Sequence, residues 1–225
     1  MQRSLPLLLA LGVLLAMAVG CATESHRAVP VDPLASTSRP YQGPKHELAV
    51  GKFVNASPYL RGMFSDGSDQ LGGQAKTILV THLAGSGRFT VLERENMQEL
   101  EREAGLRKEA QAVTGARYLI TGQVTEFGRK TTGDEQLFGI LGRGKNQTAY
   151  SKVSVQVVDV KTSAVVYQVQ GAGEYTLSDR EVLGTGGTSG YDATLNGKVL
   201  DFCIKDAVDK LCAALEKGEW RIEGS

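Results

Sequence analysis

RYLITGQVTEF, Arg117 to Phe127, is the stretch on which the fold turns. Tyr118, Ile120 and Val124 point to one side of an extended chain, so the run reads as a strand with one face in a core. Downstream, Val153, Val155 and Val157 alternate with Ser154 and Gln156. After a turn at Lys161 to Ser163 the chain returns through Val165, Tyr167 and Val169, which predicts an antiparallel hairpin. Upstream, Leu48 to Val54 (LAVGKFV) and Phe89 to Leu92 (FTVL) read as two further strands.

Helical spacing fills the gaps between these strands. In Ser68 to Ala84, Leu71, Ala75, Ile78, Leu79 and Leu83 recur at 3.6-type intervals, and Gly85 and Gly87 close the helix. Glu95 to Ala104 forms a second helix with Met97, Leu100 and Ala104 on its buried side. A short third one is expected over Ala110 to Thr114, stopped by Gly115. Leu195 to Glu216 carries the longest apolar stripe, Leu200, Ile204, Ala207, Val208, Leu211 and Leu215; Gly218 ends it and Trp220 packs near that end. The order βαβααβββα predicts an α+β fold, a mixed sheet covered by helices.

Charge and cysteine usage exclude several function classes. Lys and Arg total 25 and Asp and Glu total 25, so no net field draws the chain to nucleic acid. The five glutamates between Glu93 and Glu103 read as a solvated face. Cys203 and Cys212, nine residues apart on one helix, fall on opposite faces and cannot bridge, so they read as small core residues or free thiols. With His26, His46 and His82 scattered, no spacing matches a metal site, and no nucleophile, base and orienting group stand at a catalytic spacing. We therefore expect no enzyme, cofactor or metal. Gly139, Gly144 and Lys145 imitate part of a phosphate loop, but Asn146 replaces the magnesium-binding hydroxyl and strand-forming residues follow where a helix is required. The bare loop Gly184-Thr185-Gly186-Gly187 has no lysine.

The amino-terminal end sets the location. Leu5 to Val19 is an apolar run behind Arg3, too short for a permanent membrane span. Ala18-Val19-Gly20-Cys21 resembles a bacterial lipobox, with Ala18 where leucine is usual. That reading makes residues 1–20 a signal peptide and Cys21 the lipidated first residue of the mature protein. An ordinary secretory leader cut near Gly20 is the alternative. Ala22, not an acidic residue, follows the cysteine, which favours the outer membrane over the inner. Residues 21–45 carry four of the six prolines and read as a tether reaching up to about 70 Å, at roughly 3.1 Å per residue. The domain is expected over 46–221, with glycine-rich inserts at 128–148 and 171–196 and a tail at 222–225.

Three segments together carry a family resemblance: Phe89 to Glu95 (FTVLERE), Thr114 to Phe127 (TGARYLITGQVTEF) and Val153 to Val160 (VSVQVVDV). They are similar to the CsgG family of outer-membrane lipoproteins of curli secretion, which includes holdfast-anchoring relatives, and the resemblance spans about Lys45 to Arg221. It implies a periplasm-facing α+β domain that forms a homo-oligomeric ring, with two inserted hairpins per subunit joining a transmembrane barrel. It also implies a pore-narrowing loop between the first strand and the first helix, in the pattern Y-x-x-x-N-F. Tyr59, Met63 and Phe64 occupy those positions, with Met63 in place of the asparagine; as plain loop residues they would instead pack on the core. Charged residues in both inserts, among them Arg129, Lys130, Glu174, Asp179 and Arg180, interrupt any lipid-facing row. Two functions follow. One is an oligomeric component that exports unfolded fibre or adhesin subunits without ATP. The other is a non-pore lipoprotein that binds an envelope partner, as an assembly factor or an activator of cell-wall synthesis.

Overall fold

Among the described residues, five strands and three α-helices form in the order β1 (His46–Asn55), α1 (Gln70–Gly85), β2 (Phe89–Leu92), α2 (Met97–Leu106), β3 (Tyr118–Glu135), β4 (Arg143–Asp159), β5 (Val165–Glu181) and α3 (Asp192–Lys217). The computed structural model describes residues 34–38, 41–59, 69–135, 143–181 and 192–220. All of them belong to one compact unit. The sheet order is β2-β1-β3-β4-β5, with β1 parallel to both β2 and β3 and the β3-β4-β5 meander antiparallel. This is the mixed sheet that the alternation of residues predicts, and β2 has the bounds read from FTVL.

Period-2 burial explains which face is covered. Leu48, Val50, Tyr118, Ile120, Val153, Val155, Val157 and Val169 are buried, and they form one core with Leu71, Leu79 and Leu83 of α1 and Leu200, Ile204 and Leu211 of α3. Both long helices therefore lie on the same face of the sheet. Trp220 closes the far end of the core: its ring meets Tyr118 edge-on at 5.8 Å, and its indole N–H donates to the Leu211 carbonyl at 3.4 Å. Arg88, buried at 2% exposure, reaches the Glu216 carboxylate from Nη2 at 2.6 Å.

Two expectations are corrected. No helix forms over Ala110 to Thr114; the connection from α2 to β3 has no regular structure and its residues 105–115 are all exposed. A short AQAVT run without tertiary packing cannot offset the cost of helix nucleation. α2 forms, but none of its residues is buried, and Leu100 of its apolar side is 41% exposed. In their described parts the inserts prolong the strands of the sheet: β3 runs on to Glu135, β4 begins at Arg143 and pairs with it antiparallel, and β5 continues to Glu181.

Leu34–Ser38, within the stretch read as tether, docks on the domain. Leu34 is buried, and the backbone N–H groups of Ala35 and Ser36 donate to the Asp209 carboxylate at 3.1 and 2.9 Å. Asp209 thus satisfies the first donors of the short 3-10 turn Ala35–Ser38.

Candidate functional site

The elements converge at the end of the sheet where β1 stops and β3 does not. Asn55, the last residue of β1, donates its backbone N–H to Asp69 Oδ2 at 2.6 Å. Asp69 Oδ1 accepts from the Gly72 N–H at 2.8 Å, which caps α1. One carboxylate therefore ties both ends of the 56–68 loop together. Asn55 also holds the inside of that loop: its side-chain N–H donates to the Tyr59 carbonyl at 2.7 Å, and its Oδ1 accepts from the backbone and hydroxyl of Ser57 at 3.0 and 2.6 Å. The N–H groups of Ala56 and Ser57 both donate to the Val124 carbonyl, at 2.9 and 3.1 Å, pinning the loop base to β3.

Tyr59 leaves this clasp and packs its ring on Phe127, centroid to centroid 4.5 Å with a 33° tilt. Of the three residues expected to line a constriction, Tyr59 thus stands at the foot of the strand extension. Met63 and Phe64 lie outside the described residues, as does Cys21.

From Phe127 onward β3, β4 and β5 rise together as a ribbon. The ladders continue in register to Glu135↔Arg143 and Arg143↔Glu181. Polar cross-strand contacts hold it: the Thr148 and Thr176 hydroxyls at 3.0 Å, and Lys152 to Glu126 at 2.7 Å. The hydrogen bond from Lys152 lowers the pKa of the Glu126 carboxyl and in turn raises that of the ammonium. On the covered face, Lys198 of α3 donates to the Tyr175 hydroxyl at 2.9 Å, and Phe202 stacks on the Tyr175 ring at 6.1 Å. Gly171 and Gly173 make room for α3. A Cβ on Gly171 would overlap the Cys203 carbonyl and lie 2.7 Å from the Ala207 nitrogen; one on Gly173 would lie 2.8 Å from the Cys203 nitrogen. Gly171 and Gly173, which read as loop in the second insert, are therefore helix-packing positions.

Cys203 is a free, buried thiol, and burial pushes its pKa up to about 12. Cys212 is also free and buried, and burial raises its pKa too. After Lys145 the chain continues as β4, so the helix a phosphate loop requires does not follow. Among the described residues no cluster of three His, Cys, Asp or Glu could hold a metal ion, and no helix is long and apolar enough to cross a membrane.

Fold and site together define an α+β domain whose sheet is prolonged into a three-stranded polar ribbon beside a clasped loop. Residues 33–223 match the family described as Curli production assembly/transport component CsgG. "Putative lipoprotein NMB1126/NMB1164" of Neisseria meningitidis serogroup B is 56% identical over 202 residues, which covers 90% of this chain and 91% of that protein. The chain belongs to the CsgG family and is a CsgG-like lipoprotein. Among solved structures it is similar to the PelC dodecamer from Paraburkholderia phytofirmans (17% identity, 80% of this chain and 93% of that one, TM-score 0.34). It is also similar to the hypothetical protein CT253 of Chlamydia trachomatis (13%, 76% and 97%, TM-score 0.39). Likeness at these scores adds nothing to the family assignment.

Proposed function

We propose that this protein is an outer-membrane lipoprotein, anchored through acylated Cys21 with its domain facing the periplasm. In this reading it works as a homo-oligomeric assembly and export component for unfolded fibre or adhesin subunits, without ATP. The observation that carries the proposal is the shared origin of the ribbon and the clasped loop at one end of the sheet, joined through Tyr59 and Phe127. In a ring of copies that end would present both to a common axis, where an extended polypeptide could pass between them.

One observation favours a second reading, a non-pore lipoprotein whose ribbon binds an envelope partner. Arg129 and Lys130 are adjacent on β3, so each face of the strand receives a cation. Arg or Lys on a lipid-facing side costs about 2–4 kcal/mol at mid-bilayer. Planar-bilayer recording of the purified, acylated protein separates the two. Discrete conductance steps support export through a channel; rings that conduct nothing favour a water-exposed assembly factor.

A further inference from the structure

Residues 34–38 divide the chain between Cys21 and β1 into two parts, and three contacts hold them on the domain. Leu34 puts its side chain into the core at 5% exposure. The Asp209 carboxylate takes the Ala35 N–H on Oδ2 and the Ser36 N–H on Oδ1, at 3.1 and 2.9 Å. The Ser36 hydroxyl, shielded from solvent, faces the Cys212 thiol from one side, and the Ser86 hydroxyl at the C-terminal end of α1 faces it from another. The turn thereby closes over Cys212, which is buried.

None of these groups depends on the dock for its hydrogen bonds. Asp209 is only half-buried and Ala35 is exposed, so on release the carboxylate and the two N–H groups exchange their mutual bonds for water. What remains is the burial of one leucine set against the entropy of ordering five residues, terms of similar size and opposite sign. The next stretch is held separately. Tyr41 lies over the Arg88 guanidinium at 5.1 Å and its hydroxyl donates to the Pro44 carbonyl at 3.2 Å, while Glu216 fixes Arg88. The turn is therefore free to lift while Tyr41 and the entry to β1 stay in place.

We propose that residues 34–38 are a latch on the tether, whose docked and released positions set how far the domain stands from the membrane. The set distance rests on the acylated Cys21 reading above; the latch itself does not. Docked, residues 22–33 bridge Cys21 and the domain, and a chain of that length reaches about 37 Å at roughly 3.1 Å per residue. Released, residues 22–40 reach about 59 Å at the same rise. The docked chain also departs from a fixed place. Asp209 lies beside Leu211, whose carbonyl receives the Trp220 N–H, whereas the ribbon meets α3 at Lys198 and Phe202. The anchor thus leaves from the part of α3 away from the ribbon, and release lets ribbon and clasped loop stand farther from the leaflet with no change in the domain.

Thiol labelling of the full-length, acylated protein in detergent reads the latch. Cys212 lies beneath the turn, and Cys203 on the same helix lies against Ser151 of β4, where it reports opening of the whole domain. Leu34→Ser and Asp209→Ala are expected to speed maleimide modification of Cys212 about tenfold with Cys203 unchanged. In Ser36→Cys the new thiol is expected to join Cys212 in a disulfide, the pair giving two electrons and two protons to oxidised glutathione, and to block that modification. Unchanged labelling of Cys212 in both Leu34→Ser and Asp209→Ala overturns the latch, and so does equal acceleration at Cys203. The set distance is read on lipid vesicles, as energy transfer from a dye on exposed Leu106→Cys to a labelled lipid. Oxidised Ser36→Cys is expected to transfer more than Leu34→Ser, and equal transfer overturns the set distance. A chain that stays off the vesicles overturns the anchor and the set distance together, whatever Cys212 shows.

Discussion

Gly171 decides how closely α3 can lie on β5. A methyl group there overlaps the Cys203 carbonyl, whereas at Gly128 a Cβ meets nothing within 4 Å. Gly171→Ala is expected to cost about 2–3 kcal/mol and lower the melting temperature by roughly 5–10 °C, with Gly128→Ala near neutral. Calorimetry of the two variants side by side checks this, and equal losses would contradict it. Cys203 gives a pH signature. Its thiol ionises near 9 in the unfolded chain and near 12 when folded, so the unfolded chain loses its proton first as pH rises. The stability this group holds is complete below pH 9 and drains between 9 and 12. Urea midpoints on either side of pH 9 are expected to fall less for Cys203→Ala than for the native chain. Placing Cys203 and Cys212 on opposite helix faces follows from spacing alone. That both are buried does not, because it depends on α3 being covered on one side by β5 and on another by the turn at Leu34–Ser38 and by Ser86.

At the scale of elements, Asp69 is expected to act twice, as the cap of α1 and as the clasp of the 56–68 loop. Asp69→Ala should cost about 1–2 kcal/mol and expose the loop to proteolysis, while cleavage elsewhere stays unchanged. Mapping early cleavage sites by mass spectrometry reads this directly; an unchanged cutting pattern would mean the loop is held by something else. The elements that sequence periodicity identified are those stabilised by side-chain burial, such as β2 and the core half of β3. The outer half, Gly128 to Glu135, was illegible as a strand because no apolar residue alternates there. Its order comes from backbone pairing with β4, which leaves no mark on composition. α2 shows the opposite failure. Its 3.6-residue apolar pattern is real and was read as a buried side, yet among the described residues none of the helix is buried. The lower end of the clasp was also invisible, since Asn55 and Asp69 are 14 residues apart and neither stands in a recognisable motif.

For the whole molecule, the proposed location rests on an acylated Cys21, and under that proposal Cys21→Ser is expected to move the protein from the membrane pellet to the soluble periplasmic fraction; unchanged pelleting would point to another anchor. The proposed function rests on copies coming together so that ribbon and loop share an axis. Electron microscopy of the native, detergent-extracted protein tests that claim most directly. The account predicts closed rings with the ribbons gathered on one side, and a field of single subunits at every concentration would contradict it.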